Sequence, residues 1–254
     1  MKMGICFFIR IKCLILQHFL TQLKIIEMII LHIETSTNVC SVALSENSNC
    51  LFSKSNADGM NHAALLSVFI AEALEVLKPT NKKPDAVAVS SGPGSYTGLR
   101  IGVSTAKGLC YGYGIPLIAI STLEVLTKQA LNLVKDKENA LFCPMIDARR
   151  MEVYAAFYDE NGIIKREISA DIITSDSYAE ILANQPVYFF GNGAEKCKTT
   201  LVHPNAHFLD NLVPLAENMI AFAERAFVEN QFVDVAYFEP FYLKEFQTTA
   251  SKKL

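Results

Sequence analysis

The chain has 254 residues, of which 51% are hydrophobic and 19% charged, and its formal net charge is −3. This composition excludes a disordered chain, and the weak negative charge without a Lys/Arg cluster argues against independent nucleic-acid binding. The seven cysteines are an odd number without a Cys-x-x-Cys pair, which favours reduced thiols in a cytoplasmic protein and no metal site.

Residues 1–27 differ in character from the rest of the chain. Arg10 and Lys12 interrupt their apolar stretch, so no run reaches the roughly 18 residues that a membrane span needs. A signal peptide is disfavoured because no small-residue cleavage site follows the apolar part. We therefore expect translation to begin at Met28, with residues 1–27 an upstream extension outside the fold, and no membrane association.

After Met28 the sequence predicts strands and then a helix. Apolar and alternating runs predict strands over residues 29–34, 39–45, 50–55 and 85–90. The helix predicted from His62 has an apolar face that is wider than the stripe of an ordinary surface helix. Its members include Leu65, Leu66, Phe69, Ile70 and Ala73. Such a helix should be covered on more than one side.

A glycine-rich turn, Gly92-Pro93-Gly94-Ser95, follows the fourth strand and opens a second helix. Glycine and proline predict a sharp, preset turn, and either Ser95 or Thr97 can cap the helix. A phosphate-binding loop is the alternative interpretation. Leu99 and Arg100 follow the last glycine, however, where a Walker loop needs lysine and then serine or threonine. A structural turn is therefore favoured.

Small residues recur along one face of the second helix. They are Gly98, Gly102, Thr105 and Gly112. Glycine in a helix costs about 1 kcal/mol relative to alanine, so a close approach of another backbone is expected. The approaching element is either this protein's own sheet or a partner helix, and the spacing does not separate the two. We interpret the two helices as a partner-docking surface, and expect Gly102→Leu to keep the fold and block docking.

The second half of the chain repeats the order of the first. Its predicted strands cover residues 141–147, 152–158, 163–169 and 187–190, with a helix near 178–182. A duplicated βββαβα unit predicts two α/β lobes that face each other across a cleft. We expect lobes at residues 28–134 and 140–236, a boundary at 135–139, and a tail at 237–254.

Two acids end equivalent strands of the predicted lobes. Glu34 and Asp147 would face each other across the cleft, where paired carboxylates suit an enzyme that binds a magnesium nucleotide. The alternative is that Glu34 caps a local turn with Thr35, Ser36 and Thr37. Both interpretations stay open at this point.

Five short motifs carry a family resemblance. They are Ile33 to Thr37, Cys40 to Leu44, Gly92 to Gly102, Asp147-Ala148-Arg149-Arg150 with Glu152 to Ala156, and Pro240 to Lys244. Together they resemble the bacterial TsaB family of tRNA threonylcarbamoyladenosine biosynthesis proteins. The resemblance covers residues 28–246, and the glycine motif combined with the Asp-Ala-Arg-Arg block is its specific part.

The resemblance implies an actin-like ATPase fold with a degenerate nucleotide cleft. The cleft residues would be Glu34, Ser36, Thr37, Asp147, Arg149 and Arg150. The family is a non-catalytic partner of the metalloprotein TsaD, which threonylcarbamoylates the adenosine 3′ of the anticodon in tRNAs that read codons starting with A. The resemblance also implies a TsaE-type ATPase in the assembly, docking through helices of the first lobe, and contact with tRNA only through the complex. This chain would need no cofactor; a nucleotide (ATP or ADP) in the assembly and a homodimer of free chains stay open.

Two departures and one alternative complete the prediction. Many relatives have Asp where this chain has Glu34, whose longer side chain puts a metal role in doubt, and residues 1–27 have no counterpart. The alternative function is a stand-alone ATP-dependent small-molecule kinase that uses Glu34 and Asp147. A peptidase is disfavoured because neither His-Glu-x-x-His nor Gly-x-Ser-x-Gly occurs.

Overall fold

The computed structural model describes residues 27–59 and 61–243, which form two five-stranded sheets with helices. The first half contains β1 (Ile29–Glu34), β2 (Cys40–Glu46), β3 (Asn49–Asn56), α1 (His62–Glu75), β4 (Ala86–Gly92), α2 (Tyr96–Tyr113), β5 (Leu117–Ser121) and α3 (Thr122–Leu133). The second contains β6 (Leu141–Asp147), β7 (Glu152–Tyr158), β8 (Ile164–Ile172), α4 (Ala179–Asn184), β9 (Val187–Phe190), β10 (Ala206–Leu209) and α5 (Ile220–Val228). Apart from Glu27, the predicted extension lies outside the described residues.

The two sheets share one topology. The first has the order β3-β2-β1-β4-β5, and the second, read from its β8 edge, has the order β8-β7-β6-β9-β10. In each sheet the central strand, β1 or β6, pairs antiparallel with the next strand and parallel with the fourth. The predicted duplication is confirmed. The second lobe differs in one element, since a short 3-10 turn, Glu195–Cys197, stands between β9 and β10 where α2 stands between β4 and β5.

Helices cover both faces of the first sheet. Leu66 and Phe69 of α1 and Val103 of α2 pack on one face, where β1 presents its alternate side chains. Ala223 of α5 packs with Ile30 on the other face. Because α5 belongs to the first sheet's core, the predicted extent of the second lobe, residues 140–236, is corrected here.

Helix α3 contributes to the cores of both lobes. Val125 packs with residues of the first sheet, whereas Leu126 packs with Phe142 and Phe190 of the second. This helix therefore fixes one lobe against the other. Within the described part of the chain, no helix is long and apolar enough to cross a membrane.

After α5 the chain returns to the first lobe as a segment that includes a turn at residues 235–237; we call this segment, residues 233–243, the strap. The Val233 amide donates to the Leu117 carbonyl at 3.0 Å, and the Phe241 amide donates to the Ser91 carbonyl at 2.7 Å. The Lys107 ammonium of α2 donates to the carbonyls of Ala236 (2.9 Å) and Phe238 (3.0 Å). The strap is thus held along β5 and the side of α2.

Candidate interlobe cleft and docking face

The glycine-rich turn packs on the loop that follows β1. The Ser95 amide donates to the Ser36 carbonyl at 2.6 Å, and a side chain at Gly94 would place its Cβ 2.8 Å from the Cβ of Ser36. Of the two predicted caps, Ser95 is the N-cap residue, and its hydroxyl accepts from the Gly98 amide at 3.2 Å. The turn therefore positions α2 directly over the end of the central strand, as a structural turn would.

The close approach predicted at Gly98 and Gly102 is made by the protein's own chain. A Cβ at Gly98 would overlap the Thr35 carbonyl oxygen, and one at Gly102 would overlap the Thr35 hydroxyl. The Thr35 hydroxyl also donates to the Gly98 carbonyl at 2.8 Å. These two glycines were predicted to face a partner, and that prediction is corrected because Thr35 already occupies the space. Gly102→Leu should consequently disrupt the fold rather than docking alone.

The wide apolar face of α1 is corrected in the same way. Leu66, Phe69, Ile70 and Ala73 are buried in the core of the first lobe, so they are not available to a partner. Their burial against the sheet and α2 is the reason for the unusual width of the apolar face. Leu65 and Thr105 are half-buried, and Gly112 is exposed. Of the predicted interface, these three residues are accessible.

Several small residues, of which only Gly112 was in the predicted set, lie on the outer surface of the two helices. Ala63, Ser67 and Ala71 of α1 and Ser104, Gly108 and Gly112 of α2 are all exposed, and we call this surface the docking face. No described atom lies within 4 Å of a Cβ built at Gly108 or Gly112. Small side chains let a crossing helix come close. The docking face therefore has the composition that a helix-to-helix contact needs.

Glu34 lies inside the first lobe. Its exposed fraction is 0%, and its carboxylate Oε1 accepts from the Ser36 amide at 2.6 Å. The other oxygen, Oε2, is buried without a hydrogen-bond partner in the described part of the chain. Burial raises the pKa of Glu34 to about 7, despite the hydrogen bond from Ser36 that lowers it. The interpretation in which Glu34 caps a local turn therefore agrees with the structure.

The other residues of this loop are also buried. Ser36 and Thr37 are buried, and the Thr37 hydroxyl accepts from the Val39 amide at 3.3 Å. His32, two residues before Glu34 on β1, is buried too, with its Nε2 2.9 Å from the Ser45 hydroxyl. Burial lowers the pKa of His32 to about 3. A neutral imidazole and a carboxyl that titrates near neutrality therefore share the interior of the first lobe.

Asp147 has the opposite environment. It is exposed at the end of β6 and forms an ion pair with the Lys196 ammonium, which also donates to the Glu152 carbonyl at 2.7 Å. The Arg149 amide donates to Asp147 at 3.1 Å, and the Asp147 amide donates to the Asn192 side chain at 2.9 Å. The carboxylate predicted to hold a metal is thus paired with a cation of its own lobe.

Arg149 and Arg150 continue this exposed loop. Both are exposed and both have left-handed backbone, with φ of 70° and 49°, a conformation that costs arginine free energy. Sequence reasoning missed Lys196 and Asn192 as members of this site. The sequence feature that could have pointed to them is the Gly-Asn-Gly turn after β9, but on sequence alone this turn indicates only the end of a strand.

A cavity of about 600 Å³ opens between the lobes beside the strap. Its lining includes Gly92, Ser121, Ile168, Phe238 and Tyr242, and it includes neither Glu34 nor Asp147. Among the described residues, no group of three or more His, Cys, Asp or Glu is placed to hold a metal ion. The structure thus brings the glycine turn and the β1 loop together, but it leaves the two predicted acids in separate environments.

The duplicated lobes with this strand order define an actin-like ATPase type of fold. YeaZ from Pseudomonas aeruginosa superposes with a TM-score of 0.70 at 25% identity, covering 85% of this chain and 100% of that chain. A second Pseudomonas aeruginosa structure, an uncharacterized protein with similarity to peptidase YeaZ, has a TM-score of 0.71 at 26% identity with the same coverage. The fold predicted from the sequence is confirmed.

Sequence similarity identifies the family. Residues 57–245 match the family model described as TsaD, tRNA N6-adenosine threonylcarbamoyltransferase. A tRNA threonylcarbamoyladenosine biosynthesis protein TsaB from Escherichia coli K12 is 31% identical over 233 residues, 89% of this chain and 98% of that protein. A TsaB protein from Bacillus subtilis 168 is 30% identical over 168 residues, 65% of this chain and 71% of that protein. The chain therefore belongs to this family and, among its members, to the TsaB proteins.

Proposed function

We propose that this chain is a non-catalytic subunit that docks onto a TsaD-type protein in the threonylcarbamoylation of tRNA adenosine. The observation that carries the proposal is the similarity to TsaB over nearly the whole length of the relative from Escherichia coli. In this proposal the TsaD-type partner performs the chemistry, a TsaE-type ATPase joins the assembly, and tRNA is met only through the complex.

The state of the two acids supports a non-catalytic role. Glu34 is buried and bonded to its own loop, and Asp147 is paired with Lys196. A group that binds a magnesium nucleotide needs carboxylate oxygens that are free to meet the hydrated ion. Glu34 does not meet that requirement in its present environment, and Asp147 would have to give up its ion pair with Lys196. The kinase alternative would therefore require the β1 loop to rearrange.

The docking face supports a partner role. Ala63, Ser67 and Ala71 of α1 and Gly108 and Gly112 of α2 are all exposed. Helices of a partner can approach these positions closely because their side chains are small. We place the TsaD-type partner here.

The test is Gly108→Arg in the full chain, mixed with the TsaD-type protein of the same organism. Gly108 is exposed and a Cβ built there has no described atom within 4 Å, so the melting temperature should stay within about 2 °C of the wild type. Association, measured as the solution mass by size-exclusion chromatography with light scattering, should weaken at least about 100-fold, because the side chain separates the crossing helices.

The matched control is Ala179→Arg, an exposed small residue at the start of α4 in the second lobe. It should leave association unchanged. A Gly108→Arg protein that binds as tightly as the control would overturn the placement of the partner. A wild-type chain that forms no mixed species, and instead binds magnesium and ATP tightly, would favour the kinase alternative.

A further inference from the structure

The strap continues the docking face on the far side of α2. Lys107, whose ammonium holds the strap carbonyls on either side of Tyr237, lies one turn of α2 before Tyr111. Tyr237 and Tyr111 are each 85% exposed. Residues four apart in a helix lie on one side of it, so Tyr111 lies on the side of α2 that holds the strap. Helix α2 thus has α1 on one side and the strap on the other.

The area of the two helices alone is small for a stable complex. Helices of 14 and 18 residues are about 21 and 27 Å long and about 10 Å wide, which gives a combined footprint of about 500 Å². A specific interface typically uses about 800 Å² from each partner. The strap runs alongside α2 and can supply the difference.

The strap and the adjoining side of α2 have the composition of a protein contact rather than a nucleic-acid contact. Tyrosine and arginine are the residues that most often dominate binding at protein interfaces. Two cations of α2 in the described part of the chain are already engaged near the strap: Lys107 by two carbonyls, and Arg100 by the Tyr96 hydroxyl at 2.8 Å and the Tyr96 ring. The strap itself carries Asp234 and Glu239, which would repel a phosphate backbone.

We propose that the strap is part of the same interface, with Tyr237 and Tyr111 as contact residues for the TsaD-type partner; this inference rests on the proposed function. The model of the TsaD family matches residues 57–245, a range that includes α1, α2 and the strap. Because that family model matches this chain, we expect the partner to share its fold and to present two equivalent helices. Crossing α1 and α2, such a pair extends beyond the edge of α2 and covers Tyr237.

The experiment compares the affinities of four full-length proteins for the TsaD-type partner by isothermal titration calorimetry. They are the wild type, Tyr237→Ala, Tyr111→Ala and the control Val202→Ala, which truncates an 82% exposed side chain in the second lobe. Each tyrosine variant should bind at least 10-fold more weakly, and Val202→Ala should bind like the wild type. All four should unfold at the same temperature within about 2 °C, since the truncated side chains are exposed.

The Gly108→Arg protein separates the two proposals. If it fails to bind while both tyrosine variants bind like the wild type, the docking face stands and the strap contact is overturned. If the wild type itself does not bind the partner, the proposed function and the strap contact are both overturned. Weakening by the tyrosine variants, with Val202→Ala unaffected, supports both.

Discussion

Two glycine turns occupy equivalent places in the two lobes, one after β4 and one after β9. Gly92 and Gly191 have similar left-handed backbone, with φ of 108° and 96°. Two residues later, Gly94 lies against Ser36, and Gly193 lies against Ile146 with Asp147 beside it. In both lobes, therefore, a glycine lets the turn pack on the end of the central strand, where a larger side chain would collide.

The two turns lead into different elements. In the first lobe Ser95 caps an 18-residue helix, which packs on Thr35 in the loop after β1, next to the buried Glu34. In the second lobe the turn leads into a single 3-10 turn, from which Lys196 reaches the exposed Asp147. The two copies of the duplicated unit thus treat their acids differently, because Glu34 is buried and Asp147 is paired with a lysine. The helix that packs on this loop also provides the outer face that we assign to a partner.

The largest expected effect breaks the packing of α2 on the β1 loop. In Gly98→Ala the new methyl group would overlap the Thr35 carbonyl, so the free energy of unfolding should fall by about 2–4 kcal/mol. In the matched control, Gly108→Ala, the methyl group meets open space, and better helix propensity should raise that free energy by about 0.5–1 kcal/mol. Urea unfolding followed by circular dichroism measures both. Equal changes in the two variants would contradict internal packing at Gly98.

The next effect concerns the buried acid. Because burial raises the folded-state pKa of Glu34 from 4.5 to about 7, the folded protein keeps a proton that the unfolded chain releases. The resulting stabilisation is complete below pH 4.5, is lost as the pH rises through 7, and amounts to about 3 kcal/mol. Glu34→Gln stays neutral throughout, so its free energy of unfolding relative to the wild type should rise by up to that amount between pH 4.5 and 8.

Taking the difference between variant and wild type at each pH removes the contribution of His32. That contribution has the opposite sign, because a folded-state pKa of about 3 means stability is lost as the pH falls from 6.5 through 3. Urea midpoints at half-unit steps of pH give the difference. A constant offset between the two proteins would mean that the Glu34 carboxyl is not buried as described.

The smallest effect concerns the equivalent acid of the second lobe. Asp147→Asn removes an ion pair whose carboxylate is 45% exposed, and exposed pairs contribute about 0–1 kcal/mol. The free energy of unfolding should therefore change by less than about 1 kcal/mol, measured as for Gly98→Ala. A loss of several kcal/mol would show that the second-lobe acid is as deeply built into its lobe as Glu34 is.

Much of the fold could be predicted because its strands end at distinctive residues. Strands β1, β6, β7 and β9 have the predicted limits, since each apolar run ends at an acid, a turn or a glycine. The segment from Leu117–Ser121 into Thr122–Leu133 was not assigned, because no turn residue separates the strand from the helix. Likewise α5 gave no sign that it returns to the first sheet, a contact that only tertiary structure specifies.

The site was less predictable than the fold for a related reason. Glycine spacing on α2 predicts a close approach but does not say what approaches, and the answer differs along the helix. Gly98 and Gly102 meet Thr35, whereas Gly108 and Gly112 meet open space. In the same way, an acid at a strand end predicts a cleft residue. The structure instead buries Glu34 inside its lobe and pairs the exposed Asp147 with Lys196, and neither outcome can be read from the strand end alone.

The most direct test of the account is the rate of tRNA threonylcarbamoylation by the TsaD-type protein of the same organism, with its TsaE-type ATPase, in the presence and absence of this chain. Modified adenosine is quantified by mass spectrometry of nucleosides. We predict a rate that depends on the wild-type chain, persists with Glu34→Gln and Asp147→Asn, and is lost with Gly108→Arg. Full modification without the chain, or loss of the rate in either acid variant while it stays folded, would contradict a docking subunit that performs no chemistry.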